Sequence, residues 1–323
     1  MPTGRWLFLL FALVLAVIAA LAIGTIGFGP RESWNAMFGR GDATAVFVVR
    51  QLRLPRTVLA LLLGAGLGIS GAALQGVLRN PLSEPYLLGV SGGAAVGAVL
   101  AVTAGLAFAL VPLAAFAGAI AAVILALSVA HATRGRGDPR ILVMAGVVVG
   151  AFANATIMIV MANADASKIR GAVWWMMGSV ADASWSQSAW LAAYVLAGGA
   201  MLVALGRTLD ALALGEDSAA GLGVDVDRAT RNIYLTSSLV AAATVAAAGL
   251  VGFVGLVVPH IARRLGARGH RALLLASALT GSALVVLADL VARVALPPAE
   301  LPLGAVTAVL GVPFFLVTLR RLI

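Results

Sequence analysis

The sequence predicts an all-α polytopic membrane protein of about ten transmembrane helices, and three observations carry that prediction. Hydrophobic residues make up 62% of the 323 residues and charged residues 11%, against roughly 45–50% and 25% in an average globular chain. The mean hydropathy is +1.05, so too few polar groups remain to cover a water-facing surface. At about 20 apolar residues per crossing helix, the hydrophobic fraction accounts for roughly ten spans and leaves no room for a sizeable extramembranous domain. Apolar runs of that length recur along the chain, and residues 1–323 read as a single transmembrane domain.

In chain order, the first run, Trp6 to Phe28, follows Arg5. The apolar core of a secretory signal is only about 7–15 residues long, so this longer run reads as a retained first span. Further runs lie at 57–78, 87–108, 110–130, 141–162, 188–206, 233–251, 272–292 and 303–319. The segment 250–262 is short and broken by Gly252, Gly255 and Pro259; counted as a span, it makes ten and puts both termini on one side. Basic residues collect in cytoplasmic loops. With the N-terminus inside, fourteen of the 22 basic residues fall inside and eight outside, so both termini are expected in the cytoplasm. The net charge of +9 is then a topological signal, not a sign of nucleic-acid binding.

Several chemistries are excluded by residue type. Cysteine is absent, which removes disulfides, thiolate metal sites and a thiol nucleophile. The one lysine, Lys168, has no glycine loop before it, so no phosphate-cradling P-loop exists. His131, His260 and His270 are scattered, and no G-x-S-x-G elbow occurs, so neither a metal centre nor a hydrolase is expected. The predicted spans hold almost no ionisable groups: only Asp289 and Arg293, near the outer end of their span, and His260 come close. Ion-driven transporters keep a titratable relay at depth, so the energy for transport is expected from another subunit.

The irregular segments are the candidate sites. Arg50, Arg53 and Arg56 stand three apart at the outer mouth of the second span, where topology does not favour positive charge. They read either as interfacial snorkelling or as a docking patch for an acidic partner, with Pro55 expected to interrupt any continuous helix. Asn80-Pro81-Leu82-Ser83-Glu84-Pro85 and the glycine-rich 249–260 stretch break the helical pattern. Such backbone survives at membrane depth only if buried in protein or lining a cavity, so these segments read as a pathway or gate, with a simple turn as the alternative. The connection Arg207 to Arg231 reads as two short helices at the membrane surface, closed by Gly221 and Gly223. The G-x-x-x-G pairs 64/68, 93/97 and 146/150 read as tight helix packing.

Six segments in register then resemble one family. They are Arg53-Leu54-Pro55-Arg56-Thr57, Gly71-Ala72-Ala73-Leu74-Gln75-Gly76, Arg79-Asn80-Pro81-Leu82, Leu87 to Ala94, Met177-Gly178-Ser179 and Gly252 to Arg263. Together they are similar to the FecCD family, permease subunits of ABC importers for iron-siderophores, haem and cobalamin. The resemblance implies a type II importer permease fold working as a homodimer. It also implies two copies of a cytoplasmic ABC ATPase, a periplasmic or lipid-anchored substrate-binding protein and a bacterial or archaeal inner membrane. Membrane lipid is the remaining expected partner, and no nucleic acid, cofactor or metal is implied. ATP hydrolysis would lie in the separate ATPase, so the chain itself is not expected to be an enzyme.

By the same resemblance Arg53, Arg56 and Arg293 would dock the binding protein. Asn80, Pro81 and Leu82 would form a cytoplasmic gate with Asp138 and Pro139, where relatives often carry small hydroxyl residues instead. Leu214, Gly215, Glu216, Asp217, Ala219, Ala220 and Gly223 would seat in the ATPase. The implied activity is alternating-access import of a bulky cargo, with an ion-coupled secondary transporter as the alternative.

Overall fold

The computed structural model describes residues 1–24, 26–132 and 139–319. Among them the only β pairing is an isolated bridge between Leu296 and Ala299. The chain begins with α1 (Thr3–Ala22), a short α2 (Pro30–Met37) and α3 (Ala43–Phe47), which runs through a π-helical turn, Val48–Arg53, into α4 (Leu54–Val77). Then come α5 (Val90–Thr103), α6 (Val111–Ala132), α7 (Pro139–Ala162), α8 (Ala166–Met176) and α9 (Trp185–Ala204). The short α10 (Gly206–Leu212) and α11 (Glu216–Gly221) precede α12 (Val226–Ala248), α13 (Val254–Arg264), α14 (His270–Val294) and α15 (Leu303–Leu319).

Every predicted span has a helix, but the helices are of two kinds. Among the described residues six are long and apolar enough to cross a membrane, within 3–22, 43–77, 108–130, 141–162, 185–204 and 270–294. Of the other four, α5 and α15 are shorter apolar helices, whereas α12 and α13 differ in composition and length. α12 buries Thr236, Ser237, Ser238 and Thr244 inside the bundle and turns Leu235 and Leu239 outward. α13 has 11 residues, about 16 Å at 1.5 Å per residue, roughly half the hydrocarbon thickness. The predicted break at Pro55 is absent. Proline lacks an N–H and crowds the carbonyl four residues back, and here the wider π turn ending at Arg53 precedes it, with Leu54 N–H donating to Val49 O. Helical backbone therefore continues from 43 to 77.

α4 is the central element and packs on α14, α12, α13 and α9. A Cβ on Gly64 would overlap the carbonyl of Gly281, one on Gly68 that of Ser277 and one on Gly71 that of Gly255. The backbones of α14 and α13 thus touch α4 with no side chain between them. The Gly93/Gly97 pair does the same for α5, whose added Cβ atoms would meet the carbonyls of Gly118 and Ala114 on α6. Gly150 departs from the pattern, since a Cβ there meets nothing within 4 Å. α1 and α7 turn large apolar residues outward, among them Phe8, Phe11, Phe152 and Ile159, as lipid-facing helices do.

Gly64→Leu is expected to lower the unfolding temperature of the detergent-solubilised protein by several degrees, because two backbones must separate. Gly4→Ala, on α1 with open space around it, should leave the temperature unchanged or slightly higher. Thermal unfolding of the two variants side by side checks the pair.

Candidate functional site

At one end of the bundle the π turn and the start of α4 aim two arginines inward. Arg53 donates from Nη1 to the carbonyls of Leu21 (2.8 Å) and Ala22 (3.2 Å) and from Nη2 to Ile26 (2.6 Å). It thereby satisfies the open carbonyls that the end of α1 would otherwise leave bare. Arg56 forks between two carboxylates. Its Nε and Nη2 donate to Asp289 Oδ1 at 3.0 and 2.8 Å, while Nη1 and Nη2 donate to Glu300 Oε1 and Oε2 at 2.9 and 2.8 Å. Arg293, one turn beyond Asp289 on α14, donates from Nη2 to Ala20 O at 3.2 Å. Its Nε lies 3.3 Å from Asp289 Oδ2 but is misdirected and makes no hydrogen bond.

The three predicted arginines are thus brought together, but not as a free cationic surface. Arg53, Arg56 and Arg293 are only 3%, 9% and 5% exposed, because carbonyls and carboxylates of this same chain hold them. Arg50 is the exposed member of the 50/53/56 series. A partly open cavity of about 170 Å³ lies among Gly24, Leu52, Arg53, Arg56, Arg293 and Glu300.

The second site begins where α4 ends. Arg79 takes a left-handed conformation, φ 49°, with its N–H on Gly76 O and that of Asn80 on Gln75 O. This is a Schellman stop built on a non-glycine residue. Asn80 Oδ1 then accepts from Leu82 N at 2.9 Å, forming a turn. From there the chain is strapped along α13. His260 Nε2 lies 3.0 Å from Pro81 O, Phe253 N–H donates to Glu84 Oε1 at 2.6 Å, and Val251 N–H donates to Tyr86 Oη at 2.5 Å.

One turn earlier, Gln75 donates to the carbonyls of Gly255 and Leu256 and accepts from Arg263. The two irregular segments therefore satisfy each other's backbone groups. Glu84, in the segment that breaks the helical pattern, lies half-buried inside this contact. Asp138 lies outside the described residues, and Pro139 is described only as the start of α7. Just beyond the strap, Gly89 packs close to Gly146 of that helix.

The same end holds the two short helices, placed where the sequence predicts them. Asp210 of α10 accepts from His270 N at 2.8 Å and pairs with its Nδ1 at 2.7 Å, fixing α10 to the start of α14. Glu216, at the start of α11, forms an ion pair with Arg79. Gly215 and Gly223 bracket α11 with φ 107° and 83°, a region open to glycine. Ala219 is buried under the helix, while Asp217, Ala220, Leu214 and Leu222 face outward.

Sequence reasoning missed Gln75, Arg79, Asp210 and Glu300. Each acts through a partner at least 60 positions away, as with Asp210 and His270 at 60 and Arg56 and Glu300 at 244. No local pattern joins such pairs.

Comparison with known proteins gives a consistent result. The model of the FecCD transport family matches residues 12–321. A cobalamin import system permease of Halobacterium salinarum is 43% identical over 278 residues, 86% of this chain and 74% of that one. A vitamin B12 import system permease of Salmonella paratyphi A is 40% identical over 316 residues, covering 97% and 94%. An Fe(3+)-citrate import system permease of Bacillus subtilis is 35% identical over the same shares. A solved ABC transporter of metal-chelate type, in an inward-facing conformation, superposes with TM-score 0.86 at 29% identity, covering 98% of this chain and 99% of that one.

Removing one side of the buried pair should be costly. Asp289→Ala leaves Arg56 without its inner carboxylate and is expected to destabilise the protein by about 3–5 kcal/mol, whereas Arg56→Met with Asp289→Leu should recover most of that. Denaturation of the purified variants in one detergent measures both.

Proposed function

We propose that this chain, which belongs to the FecCD transport family, is the membrane permease subunit of an ATP-driven, binding-protein-dependent importer. It works as a homodimer in the inner membrane, with both termini in the cytoplasm, two copies of an ABC ATPase below and a soluble binding protein above. ATP hydrolysis belongs to the ATPase. The cargo is a bulky metal chelate, and cobalamin is the first to test, since the relatives at 43% and 40% identity are named for it and an Fe(3+)-citrate permease stands at 35%.

One observation carries the mechanism: the interrupted segments 78–89 and 249–253 are tied to each other inside the bundle, and that pair is linked through Arg79 and Glu216 to an exposed surface helix. Irregular backbone at such depth belongs beside a pathway. Asn80, Pro81 and Leu82 form the cytoplasmic gate together with Asp138 and Pro139. Leu214, Gly215, Glu216, Asp217, Ala219, Ala220 and Gly223 form the coupling surface, whose exposed Leu214 and Leu222 suit a partner's groove. When ATP closes the nucleotide subunits, α11 moves, Arg79 follows, and the strapped segment shifts against α7.

At the other end Arg53, Arg56 and Arg293 receive the acidic side chains of the binding protein. Their three positive charges exceed the two negative charges of Asp289 and Glu300, so the cluster keeps a net attraction for acid. Ion-coupled transport is disfavoured because Asp289, the most deeply buried carboxylate among the described residues, is locked to Arg56.

Proteoliposomes holding the permease, its ATPase and binding protein should take up cobalamin only with ATP, and a proton gradient without ATP should drive none. Uptake driven by the gradient alone would overturn the reading. In the same vesicles Arg79→Ala should lower cargo moved per ATP several-fold while ATPase turnover persists, and exchanging the charges with Arg79→Glu and Glu216→Arg should restore part of the loss.

A further inference from the structure

Arg56 presents two hydrogen-bonding edges, and its two carboxylate partners differ in every property that decides whether a partner can leave. Asp289 is 2% exposed, lies within α14 and is fixed by a second arginine one turn away. The Glu300 side chain is 34% exposed and stands on the loop between α14 and α15. Its main chain is held independently, because the next residue, Leu301, donates from N–H to Ala292 O at 2.9 Å. Rotating Glu300 into water therefore needs no backbone movement. Glu300 takes the Nη1/Nη2 edge of the guanidinium with both oxygens, the paired geometry that recognises a carboxylate best.

The cavity beside this pair is lined by Arg53, Arg56, Arg293 and Glu300. Its size, about 170 Å³, admits a side chain and excludes a folded element. The buried Nε of Arg293 lies 3.3 Å from Asp289 Oδ2 without a well-directed hydrogen bond to it.

We propose that Glu300 is an internal stand-in for the partner's acid: it closes the Arg56 site in the undocked permease, and docking is the exchange of Glu300 for an aspartate or glutamate side chain of the binding protein. This rests on the reading of Arg53, Arg56 and Arg293 as the docking site. No covalent bond changes; one carboxylate replaces another on the same guanidinium. The exchange keeps Arg56 neutralised in both states, so a buried cation is never left bare. It also makes docking weaker than the arginines alone would allow, which favours release after each delivery.

The test uses the full chain in nanodiscs and a fluorescent hexaglutamate peptide, with hexaglutamine as the neutral control, read by anisotropy at low and high salt. Glu300→Gln preserves the shape of the side chain and removes the competing charge. It should bind hexaglutamate on the order of tenfold more tightly than the parent, the difference shrinking as salt screens it, and thermal unfolding establishes that both proteins are folded. Equal or weaker binding by Glu300→Gln, with parental binding still reduced by Arg53→Gln, would sink the stand-in while sparing the docking site. Binding indifferent to both substitutions would overturn the docking reading and the stand-in with it.

Discussion

The close contact of backbone with backbone along α4 places nearly everything else in this protein. Gly64, Gly68 and Gly71 let the carbonyls of Gly281, Ser277 and Gly255 lie directly on the helix, at separations that any side chain would forbid. Inside a membrane, apolar surface alone does not draw helices together, since lipid is as apolar as leucine; dispersion and hydrogen bonding at close range do so. α14 and α13 are thus held against one face of α4, and with them the charged end of α14 and the interrupted start of α13. Both candidate sites hang from the two ends of this one helix.

The polar groups follow the same economy. Non-helical backbone cannot face hydrocarbon, and here the 80–86 segment and the 249–253 loop supply each other's donors and acceptors through Glu84, Tyr86 and His260. Charges are treated likewise. Arg53 caps the end of α1, and Arg56 sits between Asp289 and Glu300. An interrupted helix and a buried arginine are each costly alone, and each becomes stable through a partner distant in sequence. The pairs that meet this cost lie at the two ends of α4. Arg79 connects one end to the exposed helix α11, and at the other Arg56 holds Glu300, whose side chain is partly exposed.

Much of this was legible in one dimension. Every run of apolar residues became a helix within a few positions, including the broken one at 250–262, and the two short helices between 207 and 231 appeared where Gly215, Gly221 and Gly223 allow them to stop. The motif segments led to the FecCD family. Pro55 misled, because a π turn absorbs its missing hydrogen bond without ending the helix. The partner of Glu84 was not legible, because nothing near it in sequence indicates that it accepts from the amide of Phe253.

The sequence by itself determined the membrane class, the order of the apolar helices, the family and which segments could not be ordinary helices. These depend on hydrophobic run length, Gly and Pro placement and local motif, all properties of neighbours along the chain. Only the tertiary structure decided that the arginines at 53, 56 and 293 face inward, that the two irregular segments are partners, and that Arg79 reaches α11. Those outcomes depend on which donor meets which acceptor across as many as 273 positions, as between Arg293 and Ala20. That pairing is settled by how closely helices approach, a matter of shape that composition and spacing do not encode.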